Sequence, residues 1–139
     1  MRAAIVQALE GLAEKGLPIG SVLVRDGVVL AAGHNCRVQE GNPMAHAEIR
    51  CLQNAGRRDF RGTTLYSTLM PCNLCAGAAI QFGVSRVVAG ESHNFAGARA
   101  VMESHGIEVV DMDLPECKEM MEQFIRKNQG LWHEDIGKP

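Results

Sequence analysis

Helix-like and strand-like segments alternate along the chain from residue 45 onward, and this alternation constrains the fold more than any other feature. Apolar spacing and turn residues predict helices at 45–54, 73–82, 98–104 and 115–128, and strands between them at 63–68, 85–90 and 106–110. Strands joined through helices become parallel neighbours with right-handed crossovers. The pattern therefore predicts an α/β fold in which helices cover both faces of one sheet.

The first third of the chain adds a helix and a β-hairpin to this pattern. Apolar residues at helical spacing, followed by Gly16 and Pro18, predict a helix over residues 2–15. The stretch IGSVLVRDGVVLAAG then predicts two antiparallel strands around the Asp-Gly pair at 26–27, which favours a tight two-residue turn. The expected architecture is a three-layer α/β/α sandwich around a mixed five-stranded sheet.

Length and charge limit the classes of protein to which the chain can belong. Its 139 residues suit a single domain over 1–139, which buries enough surface to fold without disulfides. The formal net charge of -2 argues against a nucleic-acid partner, because phosphate binding requires clustered Lys and Arg. Charged residues interrupt the apolar run near the N-terminus, so no membrane-spanning or secretory segment is predicted. We therefore expect a cytoplasmic protein that binds a small neutral ligand.

Two cysteines stand at the spacing of a metal ligand pair, at the start of a predicted helix. In the segment PCNLC, Cys72 and Cys75 lie three residues apart, and Pro71 suits the first helical turn. Backbone N–H groups and the helix dipole lower thiol pKa values at this position, which favours the thiolates that zinc binds. His46 is the best candidate for a third ligand, and a fourth position is then open for water, as in catalytic zinc sites. We expect one zinc ion per chain.

A glutamate lies two residues after this histidine, in the segment AHAEI. Two thiolates and a neutral imidazole cancel the charge of Zn²⁺, so a nearby base helps to ionise its water, and Glu48 is placed to be that base. Residues i and i+2 of a regular helix point to different faces. We therefore expect His46 at the very start of the helix, where non-helical backbone angles let both side chains face the metal.

Each motif alone also has a simpler interpretation. A single H-x-E is often a surface pair, and a single C-x-x-C is also found in redox motifs or as half of a structural zinc finger. A closed structural site needs a fourth Cys or His, and the remaining cysteines and histidines lack a partner at ligand spacing. H-A-E followed by P-C-x-x-C matches the zinc deaminase signature, and we therefore favour a catalytic site.

Several longer stretches extend this match over essentially the whole chain. They are LPIGSVLV, GHNCRVQ, HAE, TLYSTLMPCNLCAGA, VVAGESHNF and LWHEDIG. With them the chain resembles the cytidine deaminase-like superfamily, and within it the fungal-type and related bacterial cytosine deaminases. The resemblance implies a homodimer that hydrolyses cytosine to uracil and ammonia.

The resemblance also implies roles for individual residues. The zinc ligands are His46, Cys72 and Cys75, and Glu48 moves protons from water to ring N3 and then to the departing amine. Six further residues are expected around the pyrimidine: Asn35 and the backbone amide of Ala47 at the O2 and N1 edge, the backbone carbonyl of Met70 at the amine, Phe95 and Trp132 over the ring, and Asp135 at N1.

The segment LWHEDIG is expected to form a lid over the bound base. It places Trp132 and Asp135 after Gly130, where the last predicted helix is expected to have ended. A lid that excludes water and contacts N1 would accept a free base and refuse a nucleoside.

Four positions differ from the usual fungal-type pattern. Val38, Ala47, Met70 and Ser92 stand where that family commonly has Phe, Gly, Ser and Asn. Val38 is expected to leave more room in the pocket, for a substituted or different base. The N-terminal helix begins without the leader usual in the family and is expected to be slightly short.

Other functions stay open on the sequence alone. AHAEI and CAGA are shared with tRNA adenosine deaminases, although the net charge and the EDIG tail argue against an RNA substrate. Deaminases of guanine, isocytosine or a triazine would share the metal and the glutamate and differ only in the pocket. A non-enzymatic, zinc-stabilised binding module is disfavoured, because a structural site has no use for an unligated Glu48.

Overall fold

The computed structural model describes residues 1–138. The helices are α1 (Arg2–Ala13), α2 (Arg37–Glu40), α3 (Ala47–Ala55), α4 (Asn73–Phe82), α5 (Arg99–Ser104), α6 (Pro115–Lys127) and α7 (Gln129–Asp135). The strands are β1 (Gly20–Arg25), β2 (Val28–His34), β3 (Thr64–Ser67), β4 (Arg86–Ala89) and β5 (Glu108–Asp111). No helix among these described elements is long and apolar enough to cross a membrane. Pro139, the last residue of the predicted domain, lies outside the described part of the chain.

The five strands form a mixed sheet in the order β2-β1-β3-β4-β5. β1 runs antiparallel to both of its neighbours, whereas β3, β4 and β5 are parallel to one another. The helices α4 and α5 connect the parallel strands, as the alternation in the sequence predicts. The mixed five-stranded sheet is therefore confirmed, and the antiparallel pairing of β1 with β3 adds to the predicted hairpin.

The hairpin between β1 and β2 turns at the predicted pair of residues. Asp26 and Gly27 have φ angles of 51° and 75°. Two successive positive φ angles are typical of a type I′ turn, whose twist matches that of the flanking strands. The turn brings His34, at the end of β2, opposite Gly20, at the start of β1. The next residue, Asn35, therefore lies at the sheet end where β1 begins.

Helices cover both faces of the sheet, as predicted. On one face, α3, α4 and α5 pack over the strands in the larger core cluster, whose members include Leu23, Leu52, Leu65, Ala79, Val87 and Met102. On the other face, α1 lies directly on β1, and α6 lies beside α1. The approach of α1 requires a glycine, because a Cβ at Gly20 would lie 2.0 Å from the backbone oxygen of Ala4.

The structure differs from the sequence-based expectation at the helix ends. α1 ends at Ala13, two residues earlier than expected, and the single-turn helix α2 was not predicted. The backbone leaves the helical region at Asn128, with φ -139° and ψ 48°, which separates α6 from α7. The segment expected to follow the last helix is thus itself helical, and Gly130 lies inside α7.

Candidate active site

The start of α3 places His46 and Glu48 on the same cavity. His46 is the N-cap residue of this helix, with φ -69° and ψ 156°, and Glu48 is its second helical residue. In a regular helix, side chains two residues apart point in different directions. Because the backbone at His46 is extended, its side chain and that of Glu48 can face the same cavity. The predicted non-helical conformation of His46 is confirmed.

The start of α4 presents both cysteines of the C-x-x-C motif. Cys72 is the N-cap residue, with φ -74° and ψ 177°, and Cys75 is the third helical residue. Pro71 precedes the N-cap, so its predicted place in the first helical turn was wrong. Because Cys72 is extended, its side chain turns back toward Cys75, to which it is joined by a hydrogen bond.

The two helix ends bring three potential metal ligands together. One ligand atom each from His46, Cys72 and Cys75 lies within 4.8 Å of the other two, and His46 Nδ1 is 3.5 Å from Cys72 Sγ. Tetrahedral zinc, with bonds of about 2.0–2.3 Å, separates such ligand atoms by roughly 3.5–3.8 Å. The donor set and its spacing therefore fit a zinc ion with one position left for a further ligand.

The electrostatics of these groups also favour a cation. The pKa of the Cys72 thiol is lowered to about 4, first by the hydrogen bond from Cys75 and then by that from His46. The pKa of Cys75 is raised well above its ordinary value, because its thiol proton is shared with Cys72 and because the side chain is buried. Burial lowers the pKa of His46, but the Cys72 thiolate and Asp135 outweigh it and raise this pKa to about 9. A divalent cation satisfies the same negative charge on sulfur.

Glu48 is buried beside the three candidate metal ligands and is not among them. Its pKa is raised from the ordinary value by this burial and by the charge of Cys72. The hydroxyl of Ser67, at the end of β3, donates to Oε1 at 2.9 Å. The Cys75 thiol shares its single proton between Cys72 and Glu48 Oε2, which lies 3.2 Å from Sγ. A buried carboxyl group with a raised pKa is suited to accept a proton and to release it again.

A small cavity lies in front of the ligands and the glutamate. Its walls are formed by Ile19, Asn35, His46, Glu48, Leu69, Met70, Cys72, Phe95 and Asp135. Its volume is about 20 Å³, which is room for about one water molecule. The structure therefore shows a closed site, and a larger molecule enters only when part of the lining moves.

Asn35 and Asp135 form a polar pair on the cavity wall with a fixed hydrogen-bonding direction. The backbone N–H of Arg37 donates to Asn35 Oδ1 at 3.0 Å, so the amide nitrogen Nδ2 must face the other way. Nδ2 donates to Asp135 Oδ1 at 2.9 Å. This leaves one Asn35 N–H for a ligand, and the hydrogen bonds found for Asp135 within residues 1–138 all end on Oδ1, which leaves Oδ2 as an acceptor.

Arg37 ties this pair to the C-terminal helix. Its Nε donates to Asp135 Oδ1 at 3.1 Å, and its Nη2 donates to the backbone oxygen of Leu131 at 3.1 Å and to Glu134 Oε2 at 3.4 Å. The Arg37 and Asp135 side chains are only 10% and 6% exposed, so solvent screens this ion pair weakly. The sequence did not predict this role of Arg37. The only indication was its position two residues after Asn35.

Comparisons with known proteins agree with this geometry. Residues 1–91, which contain the three candidate ligands and Glu48, match the model of the cytidine and deoxycytidylate deaminase zinc-binding region. The chain belongs to this zinc-binding deaminase family. The hydrolytic deaminase chemistry and the zinc cofactor predicted from the sequence are thereby confirmed at the level of the family.

Individual relatives of this deaminase act on different substrates, according to their names. A cytosine deaminase from Candida albicans is 40% identical over 141 residues, covering 99% of this chain and 94% of that protein. A tRNA-specific adenosine deaminase from Bacillus subtilis is 35% identical over 140 residues, covering 91% and 87%. The structure of a guanine deaminase from Nitrosomonas europaea matches with a TM-score of 0.73 at 22% identity, covering 87% of this chain and 80% of that one, and shows the shared fold.

The remaining predicted contact residues divide into two groups. Phe95 and Met70 line the cavity of the deaminase. Ala47 and Trp132 lie behind that lining, in a core cluster with Met121 and Phe124. Trp132 is 5% exposed, and its ring meets Phe95 edge-on with centroids 6.0 Å apart. Trp132 thus supports Phe95 from behind in this closed structure, and direct contact of Trp132 or the Ala47 amide with a base stays a prediction.

Of the four positions that differ from the usual fungal-type pattern, two lie away from the cavity. Val38 is on α2 and 37% exposed, outside the cavity lining, so this closed structure gives no support to the expectation that it enlarges the pocket. The Ser92 hydroxyl donates to the carboxylate of Asp111 and also lies outside the lining. Of the other two, Met70 alone lines the cavity directly.

Proposed function

We propose that this deaminase hydrolyses the free base cytosine to uracil and ammonia. The observation that supports this substrate most is the hydrogen-bonding direction of the Asn35–Asp135 pair. Cytosine has a carbonyl acceptor at C2 and an N–H donor at N1, and the pair offers a donor from Asn35 next to an acceptor from Asp135. The similarity to the Candida albicans cytosine deaminase over 99% of the chain supports the same substrate.

The same pair separates cytosine from other bases. In cytosine, the reacting carbon is C4, and the ring atom opposite C4 is N1. N1 carries a hydrogen, which it can donate to Asp135. In isocytosine and guanine that atom is a carbon without a donor, and in a nucleoside N1 bears the sugar. Each of these substrates leaves Oδ2 of the nearly buried Asp135 carboxylate without a donor, and an unpaired buried polar atom costs binding free energy.

The residues of the site divide the reaction between them. His46, Cys72 and Cys75 would hold a zinc ion, which when bound would act as a Lewis acid and lower the pKa of water. Glu48 accepts a proton from the attacking water and passes it to ring N3. It then accepts the remaining proton of the new hydroxyl group on C4 and passes it to the amine as the C4–N bond breaks. Ser67 holds Oε1 of Glu48, so Oε2 is the oxygen that exchanges protons with the reacting atoms.

Cys75 and Glu48 cannot keep their mutual hydrogen bond during this reaction. The bond requires a thiol proton on Cys75, whereas a metal ligand is a thiolate. A Cys75 that has lost its proton no longer occupies Glu48 Oε2, which is then available to the substrate. Formation of the metal site and release of the general base are therefore linked.

Cytosine can enter the cavity only if part of its wall moves, and we assign this movement to residues of the C-terminal half of the chain. The closed cavity of about 20 Å³ is too small for a pyrimidine. Phe95 and α7 cover it, and α7 is attached to the rest of the site by the hydrogen bonds of Arg37. Opening of α7 with Phe95 admits the base, and closure excludes water from the reaction.

The proposal includes assembly as a homodimer, a cytoplasmic location and a role in pyrimidine salvage, as the resemblance to cytosine deaminases implies. Sedimentation equilibrium tests the assembly, with a mass of two chains expected. A single-chain mass at the concentrations used for activity measurements would contradict it.

Ammonia release from a set of bases tests the substrate. The zinc-loaded protein is assayed with cytosine, 1-methylcytosine, isocytosine, guanine and a tRNA anticodon stem-loop. Cytosine is expected to react. The matched control is 1-methylcytosine, which lacks the N1–H donor and is expected to react more slowly by a factor of at least about 10⁴. Faster release from the stem-loop or from guanine would assign the chain to that substrate, and equal rates with 1-methylcytosine would refute the contact with Asp135.

A further inference from the structure

A second cluster of potential metal ligands lies outside the active site, where α1 meets the end of β2. Glu14 is the C-cap residue of α1, His34 is the last residue of β2, and Cys36 precedes α2. One ligand atom from each lies within 4.8 Å of the other two. Glu14 is exposed and the other two residues are half-buried, so an ion can reach them from solvent.

Hydrogen bonds decide which nitrogen of His34 carries a proton. Gln7 Nε2 donates to Glu10 Oε2 at 2.9 Å, so Gln7 Oε1 is the atom that faces His34 Nδ1, at 3.2 Å. Nδ1 must therefore be a donor, and the neutral ring has its lone pair on Nε2. This nitrogen lies 2.9 Å from Glu14 Oε2, which is also an acceptor. A cation held between these two acceptors would satisfy both of them.

We propose that Glu14, His34 and Cys36 form a second site for a divalent transition-metal ion, with zinc as the best match. A carboxylate oxygen, an imidazole nitrogen and a thiolate sulfur are all zinc ligands, and water completes a tetrahedron. Tetrahedral zinc needs a separation of about 3.3 Å between the carboxylate and imidazole atoms. Glu14 therefore moves by a few tenths of an ångström, which an exposed side chain at a helix end permits.

The surroundings of Glu14 favour an ionised and oriented carboxylate. Gln39 Nε2 donates to Glu14 Oε2 at 3.2 Å and to the backbone oxygen of Asn35 at 3.2 Å. The hydrogen bond with His34 and that from Gln39 lower the pKa of Glu14. An outer partner that orients a ligand in this way is typical of metal sites.

This second site is separate from the zinc ligands of the active site but borders a residue that we place at the substrate. Asn35 lies between His34 and Cys36 in the sequence. A metal ion held by both neighbours fixes the backbone on either side of Asn35 and ties it to the end of α1. The ion therefore stiffens the segment that presents the Asn35 amide to the cavity.

Calorimetric titration of Zn²⁺ into protein that already holds one zinc per chain tests the proposal. A second equivalent is expected to bind and to raise the melting temperature, because it binds the folded state only. The affinity for this second zinc ion is expected to fall by at least about tenfold in Cys36→Ser and in Glu14→Gln. Glu119→Gln, a matched change of an exposed glutamate on α6, is expected to leave it unaltered.

Cobalt gives an independent measurement on the same zinc-loaded protein. Added Co²⁺ is expected to produce thiolate-to-cobalt charge-transfer absorption, which Cys36→Ser abolishes. Saturation at one zinc per chain, or a second equivalent that Cys36→Ser leaves unchanged, would overturn the proposal. These measurements record metal binding and not deamination, so a negative result leaves the proposed function untouched.

Discussion

At the scale of single residues, Glu48 depends on two hydrogen-bond donors of different character. The Ser67 hydroxyl can donate to the carboxylate whether or not a metal is bound, whereas the Cys75 thiol donates only while it is protonated. In the zinc-loaded protein Ser67 is therefore the donor that orients Glu48, the proposed general base. This assigns a positioning role to a residue that lies at the end of β3, outside both sequence motifs.

Glu48→Gln is expected to keep zinc and to lose turnover. An amide of the same shape cannot shuttle protons, and a general acid or base contributes about 10² to 10⁴-fold to rate. The two measurements are metal content by elemental analysis and ammonia release from cytosine. Loss of zinc in this variant would make Glu48 a ligand and contradict its assignment.

Ser67→Ala is expected to lower kcat by about 10- to 100-fold, because a hydrogen bond to a charged group contributes about 1.5–3 kcal/mol. Zinc content and KM are expected to change little, since Ser67 contacts Glu48 and not the metal ligands. The matched control is Ser92→Ala, whose hydroxyl bonds Asp111 away from the cavity. Equal kcat values for Ser67→Ala and Ser92→Ala would contradict the positioning role that we assign to Ser67.

At the scale of secondary-structure elements, α7 serves both the core and the active site. Trp132 packs on Met121 and Phe124 of α6, while Asp135 reaches the cavity wall. Removal of α7 would expose this core cluster, so loss of activity on truncation would mix unfolding with loss of the substrate contact. A change in Arg37, which attaches α7 through polar contacts alone, separates the two effects.

Arg37→Gln is expected to raise KM for cytosine by about 10- to 100-fold, which corresponds to the loss of one hydrogen bond to a charged group. Asp135 then loses its fixed orientation, while Asn35 keeps its hydrogen bond from the backbone N–H of residue 37. Zinc content is expected to stay unchanged, because the Arg37 side chain makes no hydrogen bond to His46, Cys72 or Cys75. Arg37→Lys is expected to restore part of the affinity, since one ammonium group cannot bridge Asp135 and Leu131 as the guanidinium does. Arg126→Gln, at an exposed position on α6, is the control. An unchanged KM in Arg37→Gln would contradict this role.

Local sequence patterns predicted the elements and the metal ligands but not the contacts that join distant segments. The turn at Asp26 and the N-cap position of His46 follow from the backbone preferences of a few adjacent residues. By contrast, Arg37 and Asp135 are 98 residues apart, and Ser67 and Glu48 are 19 apart. Such pairs are set by how the sheet and helices pack, for which no short pattern exists in the sequence.

At the scale of the whole molecule, the metal site joins two helices that pack on the same face of the sheet. His46 precedes α3, and Cys72 and Cys75 belong to the start of α4. Their apolar faces meet in the larger core cluster, which does not depend on the metal. Zinc therefore adds cross-links to a fold that has its own core, in contrast to small zinc fingers, which unfold without the metal.

Removal of zinc by a chelator is expected to lower the melting temperature while far-ultraviolet circular dichroism stays close to that of the loaded protein. Each kcal/mol lost corresponds to roughly 2–4 °C in a domain of about this size. Cys75→Ala is expected to lose zinc and to show the same lowered melting temperature, with no further change on addition of chelator. A chelated protein that melts at the original temperature would show that the metal does not contribute to stability.

The separation between Asn35 and Asp135, 100 residues along the chain, has a consequence for the order in which activity arises during synthesis. All three zinc ligands and Glu48 have left the ribosome's active centre once residue 75 has been added. Asp135 follows only after a delay of about 3–12 s at translation rates of roughly 5–20 residues per second. A nascent chain therefore has the groups for metal chemistry before it has Asp135, the group that we propose contacts the base. On this proposal, selectivity for substrate is the last property of the site to be acquired.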